Sequence, residues 1–401
     1  MSASVWKKSS FSQIGEVIAG GTPSTTVSEY WNGNIPFVTP NDLSEQKSPY
    51  INKTERTITK VGLNNSSANL LPKNALILST RAPIGYMALS SNECVTNQGC
   101  KAILINSDQC PLFHYYNTHN YVQKMKSLGS GTTFAEISKT DLEKIVVTYP
   151  EDFKTQKNIA DILSTCDTVI QNTQKTIDKY KAIKQGMMQD LFTRGLTKDG
   201  KLRPSYKEAP ELYKESELGM IPKEWNAIPM GSELISVGSG YCECYKDNGP
   251  YPVYGSTGII GYSDKYDYSG EALLIARVGA NAGLVNIVFG EYGVTDNTLI
   301  ARFSESTGIN YVLYYLRFIN LNRLIFGSGQ PLITGGILKK LFIKFPKIEE
   351  QLAIAKRLSS IDSTIQKEEA VLEKYKNIKT GLMARLLAPP KDAVIIDETE
   401  E

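Results

Sequence analysis

Apolar residues recur in steps of four and three along two stretches of the chain. The first carries Ile159, Leu163, Cys166, Ile170, Ile177, Tyr180, Met187 and Leu191, with Thr173 filling the phase. The second carries Ile354, Leu358, Ile361, Ile365, Leu372, Tyr375, Leu382 and Leu386. Alternating steps of four and three are coiled-coil spacing. Neither stretch contains proline, Pro150 and Pro346 precede them, and Gly195 and Pro389 follow. At ~1.5 Å per residue each predicts a rod of about 55 Å. Two such helices with matching seams are expected to pack on each other. The plainer alternative is two amphipathic helices, each packed on its own domain, but few globular helices run so long.

Between the rods the pattern changes. Short strand-like runs appear, such as Ala75-Leu-Ile-Leu-Ser79, Lys101-Ala-Ile-Leu-Ile105, Ala272-Leu-Leu-Ile-Ala276 and Leu284-Val-Asn-Ile-Val-Phe289, separated by clusters of turn residues. Helical stretches fall near 112–128 and 310–326. These units read as α+β. Residues 197–222 are polar with no sustained pattern, and read as a linker.

The two halves are copies. Residues 156–192 align without a gap on 351–387, and sixteen of the 37 positions are identical. Weaker matches extend upstream: Leu128-Gly-Ser-Gly131 with Phe326-Gly-Ser-Gly329, Val95-Thr-Asn-Gln98 with Val294-Thr-Asp-Asn297, and Leu78-Ser-Thr-Arg81 with Leu274-Ile-Ala-Arg277. Trp6 and Trp225 open the halves. The expected architecture is α+β, a tandem repeat with pseudo-two-fold symmetry. Two α/β-type domains (1–150 and 223–346) are joined by two long antiparallel coiled-coil helices (151–196 and 347–390). Residues 391–401 are expected to form a disordered acidic tail. Gly186 and Gly381 sit mid-helix, where glycine costs about 1 kcal/mol against alanine. Either another backbone approaches there or the glycine is tolerated and was inherited by duplication.

A length of 401 residues exceeds one ordinary core. No apolar run is long enough to span a membrane, and the N-terminus shows no signal core, so a cytoplasmic location is expected. The six cysteines then read as free thiols. No histidine stands near Cys242-x-Cys244, and His114 and His119 are five apart, so no metal site is expected. The net charge of +2 hides an asymmetry. Residues 1–205 hold 23 Lys+Arg against 17 Asp+Glu, or +6, and residues 206–401 hold 21 against 25, or −4. A self-sufficient nucleic-acid binder is often more basic, so either DNA is not the partner or other subunits share the phosphate contacts.

Catalytic motifs are missing. Asn248-Gly-Pro-Tyr251 resembles the Asn-Pro-Pro-Tyr motif of amino-methyltransferases, but glycine replaces the first proline and a turn explains it. No Gly-Lys-Ser/Thr, His-Glu-x-x-His or Gly-x-Ser-x-Gly occurs. The chain reads as a binding scaffold, not an enzyme by itself.

Several local sequences carry a resemblance. They include Gly20-Gly-Thr-Pro-Ser24, Tyr30-Trp-Asn-Gly-Asn-Ile-Pro-Phe-Val-Thr-Pro-Asn-Asp42 and Ser79-Thr-Arg-Ala-Pro-Ile-Gly85. In the second half they include Gly219-Met-Ile-Pro-Lys-Glu-Trp225, Tyr251-Pro-Val-Tyr-Gly-Ser-Thr-Gly-Ile-Ile-Gly-Tyr262 and Arg277-Val-Gly-Ala-Asn-Ala-Gly283. With the duplicated helices, they resemble the specificity subunit of type I restriction-modification systems over nearly the whole chain. The resemblance implies a non-catalytic subunit that reads a bipartite, asymmetric site on double-stranded DNA. It implies two methyltransferase subunits and two translocase-nuclease subunits as partners. S-adenosylmethionine, ATP and magnesium would be used by those partners, and this subunit would hold no cofactor. The alternative is a two-headed adaptor that joins protein partners along a coiled coil, with no DNA role.

Candidate DNA-contacting residues follow from the residue types and from the resemblance. Arg81 and Arg277 end predicted strands in matching places, and arginine suits bidentate contact to guanine, although an ion pair or phosphate contact has a slightly stronger claim on it. The loops Gly129, Ser130, Gly131 and Gly327, Ser328, Gly329 offer backbone N–H groups to phosphate, or are plain turns. Thr39 and Asn41 in the first half, and Thr257 and Asn281 in the second, fall inside the family-like motifs.

Overall fold

The computed structural model describes residues 4–129, 136–243, 245–324 and 332–399. The chain forms two compact units, Met1–Lys175 with Glu369–Glu401, and Thr176–Glu368. Each unit therefore holds a mixed domain, the first half of the long helix that follows it, and the last half of the other long helix. The helices run Phe153–Thr193 and Ile348–Leu386.

In the first unit Ile159, Ala160 and Leu163 share a core with Leu387, and Leu382, Met383 and Leu386 pack on it. In the second, Met188, Leu191 and Phe192 share a core with Ile354, Ala355 and Leu358. Early residues of one helix lie beside late residues of the other, so the pairing is antiparallel in each unit. Leu163 and Leu358 are fully buried, each contributing roughly 2–3 kcal/mol.

The repeat identities explain how each domain docks on its helix. Gln156 accepts a hydrogen bond from the Cys110 N–H at 2.8 Å and donates to the Pro150 carbonyl at 2.8 Å. Gln351 accepts from the Gly308 N–H at 2.9 Å and donates to the Pro346 carbonyl at 2.9 Å. Each glutamine thus satisfies an orphan N–H at the start of a domain helix, Pro111–Thr118 or Ile309–Ile319.

The first domain centres on a five-stranded sheet ordered Gly15–Ala19, Cys100–Ile105, Leu76–Ser79, Met87–Ser90, Tyr50–Ile51. The second has four strands ordered Leu234–Ser239, Thr298–Phe303, Ala272–Ala276, Val285–Val288. Leu76–Ser79 and Ala272–Ala276 are buried on both faces. Leu76 and Leu78 point into the helix-side core and Ile77 into a second core; Leu273 and Ile275 match the first pair and Leu274 the second. Double-sided burial is why these strands read as unbroken apolar runs.

Two expectations need correction, and one open alternative closes. The tail is not disordered: Val394–Asp397 pairs in parallel with Val5–Ser10, Val5 facing Val394 and Lys8 facing Asp397. Lys7 Nζ lies 2.8 Å from Glu398, Lys8 Nζ lies 3.3 Å from Asp397, and Ser9 donates to Glu398 at 2.7 Å. The acidic residues are counter-charges for a basic strand far away in sequence. The 197–222 segment is not a bare linker either. It contains a Tyr213–Lys214/Ile221–Pro222 hairpin, and Arg203 is buried against Glu350. Of the two readings of the mid-helix glycines, the tolerated, inherited one fits: among the described residues a Cβ at Gly186 or Gly381 meets nothing within 4 Å.

Candidate nucleic-acid interface

In both domains, loops from several strands converge on one rim. In the first, Gly20 N–H donates to the Cys100 carbonyl at 3.2 Å and Gly21 N–H to the Thr96 carbonyl at 2.9 Å. A Cβ on Gly20 would lie 1.9 Å from the Asn97 carbonyl oxygen, so only glycine lets the two turns meet. Asn97 N–H bonds the Val38 carbonyl at 3.1 Å, and Arg81 N–H the Gly99 carbonyl at 3.2 Å. The 97–99 turn therefore sits between Arg81 and the Thr39–Asn41 segment.

Thr39 is a helix cap. Its side chain and the N3 carboxylate of Asp42 form a capping box at the start of Pro40–Ser44, with Thr39 N–H to Asp42 Oδ2 at 2.9 Å. That occupies the hydroxyl, whereas Asn41 in the same first turn is exposed. Arg81 is half-exposed, with Nε and Nη2 on Glu136 Oε2 at 3.0 and 2.6 Å. Lys101, nearly buried, reaches Glu136 at 3.3 Å, Thr80 Oγ1 at 3.2 Å and the Ile137 carbonyl at 2.7 Å. Desolvation raises the Glu136 pKa, but Arg81 and Lys101 outweigh it and hold the carboxyl below its usual range. Gly129 closes the helix Val122–Leu128 through its N–H to the Met125 carbonyl at 3.2 Å. Ser130 and Gly131 lie outside the described residues.

The second rim repeats the plan with other side chains. Gly240 N–H bonds the Thr298 carbonyl at 3.0 Å, Cys242 N–H the Val294 carbonyl at 2.9 Å, and Thr295 N–H the Tyr254 carbonyl at 3.0 Å. Together these loops enclose an open cleft of about 490 Å³ lined by Tyr241, Tyr245, Ser256, Asp296 and Asn297 among others. At its edge Arg277 Nη1 donates to Ser239 Oγ at 2.9 Å and the Asp296 carbonyl at 3.4 Å, while its buried Nε has no partner among the described residues. Thr257 and Asn281 are exposed, one in the turn between Tyr251–Gly255 and Gly258–Ser263, the other in the turn after Arg277. Gly327, Ser328 and Gly329 lie outside the described residues.

The expected equivalence of Arg81 and Arg277 is one residue out. Thr80 N–H bonds the Gly99 carbonyl at 2.9 Å and Arg277 N–H the Asn297 carbonyl at 3.0 Å. Ile137 N–H bonds the Thr80 carbonyl and Ile333 N–H the Arg277 carbonyl, both at 2.9 Å. Arg277 therefore stands where the first domain has Thr80, and Arg81 matches Val278. The two arginines therefore occupy neighbouring, not equivalent, positions just past their strands. The first domain fills the Thr80 position with a cation by another route, the Lys101 ammonium. Sequence reasoning missed Lys101 because it lies in an apolar strand run. Glu136, adjoining the 130–135 segment, gave no local signal.

Among the described residues no group of His, Cys, Asp and Glu could hold a metal ion, and no helix is long and apolar enough to cross a membrane.

Known proteins share this plan. The family model described as type I restriction modification DNA specificity domain matches residues 4–182 and 236–376. The type I restriction enzyme MjaIX specificity subunit of Methanocaldococcus jannaschii is 28% identical over 375 residues, covering 85% of this chain and 83% of that one. The EcoprrI specificity subunit of Escherichia coli is 24% identical, covering 86% and 84%. In fold, the S subunit of a type I restriction-modification system from M. genitalium superposes with a TM-score of 0.65 at 15% identity, covering 97% of this chain and 98% of that one. A chain solved in work on complex assembly and conformational transition of the type I R-M system gives 0.55 at 15% identity, with 96% and 97% covered.

Proposed function

The chain belongs to the type I restriction-modification DNA specificity family, and from that premise we propose that it is the sequence-reading subunit of such a system, binding a bipartite and asymmetric site on double-stranded DNA. It is a specificity subunit and not the catalytic one. Each rim reads one half-site, and the half-sites differ because the rims carry different side chains on the same loops. The paired helices separate the half-sites and receive the partners. Two methyltransferase subunits supply S-adenosylmethionine-dependent methylation, and two translocase-nuclease subunits use ATP and magnesium. Those partners also supply phosphate contacts that a chain of net charge +2 is short of.

The observation that supports this most is the rim built twice. Asn41, Gln98 and Thr80 on one are replaced by Thr257, Asp296 and Arg277 on the other, while the backbone hydrogen bonds beneath correspond. An adaptor with no DNA role gives no reason for a conserved frame with exchanged polar tips.

Methylation mapping in a host carrying this chain with its methyltransferase partners tests the proposal. Two half-sites with an unread gap are expected. Arg277→Ala should relax the second half-site alone, and Arg81→Ala the first, each by roughly 1–3 kcal/mol if a guanine contact is lost. Arg81 must release Glu136 to make that contact, so its effect should be the smaller. If both variants leave the motif and affinity unchanged, the arginines are not base readers. If no motif appears at all, the chain does not select DNA.

A further inference from the structure

The apolar seam of each long helix is interrupted at two equivalent steps, Thr173 with Glu368 and then Lys184 with Lys379. Continuing from Tyr180 in fours and threes reaches Lys184 before Met187; continuing from Tyr375 reaches Lys379 before Leu382. Neither lysine is left facing apolar residues alone. Lys379 Nζ lies 2.5 Å from Asp167 Oδ1, and Asp167 Oδ2 accepts from the Tyr116 hydroxyl at 2.7 Å. Lys184 Nζ lies 2.6 Å from Asp362 Oδ1, and Asp362 Oδ2 accepts from the Tyr314 hydroxyl at 2.8 Å. Each ammonium also stands 5.4 Å from the ring centre of its tyrosine. Each cluster joins three elements: a domain helix, the long helix that follows that domain, and the opposing long helix.

These are not ordinary surface pairs, which contribute little. All four charged side chains are less than a quarter exposed, both oxygens of each carboxylate are engaged, and the cluster occurs twice with the helix roles exchanged. An apolar seam that repeats every seven residues looks the same after a slip of seven, so it sets direction and phase but not register. A polar residue in a seam does set register, at some cost in stability. A slip of seven would put Asp167 level with Leu372 or Leu386 in place of Lys379. It would leave the partly buried charges of both clusters uncompensated, which is strongly unfavourable.

We propose that Tyr116–Asp167–Lys379 and Tyr314–Asp362–Lys184 are the register keys of the helix pair, and that they fix the gap between the two half-sites. The inference rests on the reading of the chain as a two-part DNA reader. All six are positioning residues and touch no base. A slip of one heptad moves one helix by about 10 Å along the other, which on B-DNA is about three base pairs.

The test is methylation mapping with the full chain and its methyltransferase partners. Lys184→Met with Lys379→Met keeps the apolar stems and removes both charges. Both half-sites should keep their bases, while sites whose gap differs by about three base pairs become modified beside the original ones. Exchanging the charges within both clusters (Asp167→Lys with Lys379→Asp, Asp362→Lys with Lys184→Asp) should restore the single original gap. A folded methionine variant that modifies only the original gap would overturn the proposal. Should that variant fail to fold, the exchanged variant decides. Recovery of the original gap supports the keys, and anything else sinks them. If the unaltered chain directs no two-part motif, the function reading itself fails, and this inference with it.

Discussion

Replacing Arg203 with methionine should destabilise the second unit sharply and leave the first untouched. Arg203 and Glu350 are 9% and 11% exposed, and the carboxylate is saturated. Its Oε1 accepts from Arg203 Nη1 and, at 2.7 Å, from the Leu196 N–H; its Oε2 accepts from Arg203 Nη2 at 2.9 Å and the Trp225 indole N–H at 3.1 Å. Methionine retains the stem and removes the cation, leaving a buried carboxylate with two neutral donors. Breaking a buried pair from one side costs about 3–5 kcal/mol, and the two remaining donors place this case near 3 kcal/mol. At a urea dependence of about 2 kcal/mol/M, the midpoint of the second unit falls by about 1–2 M. Hydrogen exchange read peptide by peptide along a urea series reports the two units separately. Glu224→Gln is the control, because Glu224 is more than half exposed where it meets Arg203 at 3.0 Å, and it should cost less than about 1 kcal/mol. A methionine variant no weaker than that control, or one that lowers the first unit instead, would refute the reasoning.

Two further outcomes are expected. Gly20→Ala and Gly240→Ala should each destabilise their rim by at least about 1–3 kcal/mol, because the new Cβ falls 1.9 and 2.2 Å from backbone oxygens; Gly186→Ala and Gly381→Ala, in open space, should stabilise by about 0.5–1 kcal/mol, and thermal melts showing the reverse order would contradict this. His114 is fully buried and burial lowers its pKa from 6.5 to about 3. The unfolded chain therefore binds more protons, so the contribution is complete above pH 6.5 and is lost as pH falls toward about 3, by up to about 1.4 kcal/mol per pH unit. His114→Phe should flatten that acid slope in the first unit, and an unchanged slope would show that His114 is not its source.

The sequence by itself determined the rods, the duplication and the α+β character of the domains. These are written in local periodicity, in prolines and glycines at the ends, and in identities one fixed offset apart. The family resemblance was likewise legible, because its motifs are short and continuous. Some of the same identities had a role that pattern could not reveal. Gln156 and Gln351 look like surface positions of a coiled coil, yet each caps a domain helix. Lys184 and Lys379 look like breaks in a seam, yet each meets a carboxylate on the other helix.

Tertiary structure alone decided the remainder. Residues 391–401 read as a disordered acidic tail until the fold brings Asp397 and Glu398 beside Lys7, Lys8 and Ser9. Arg81 and Arg277 aligned by sequence, but the backbone pairing puts Arg277 at the position of Thr80 and Arg81 at that of Val278. Asn41 and Thr257 were picked from motifs, whereas their place beside the 97–99 and 295–297 turns depends on parallel pairing of distant strands. A hydrophobic period is carried by neighbours three, four or two residues apart, so it is visible along the chain. A charge or a hydrogen-bond donor is satisfied by whatever the fold brings within about 3 Å, and that partner leaves no mark on the sequence around it.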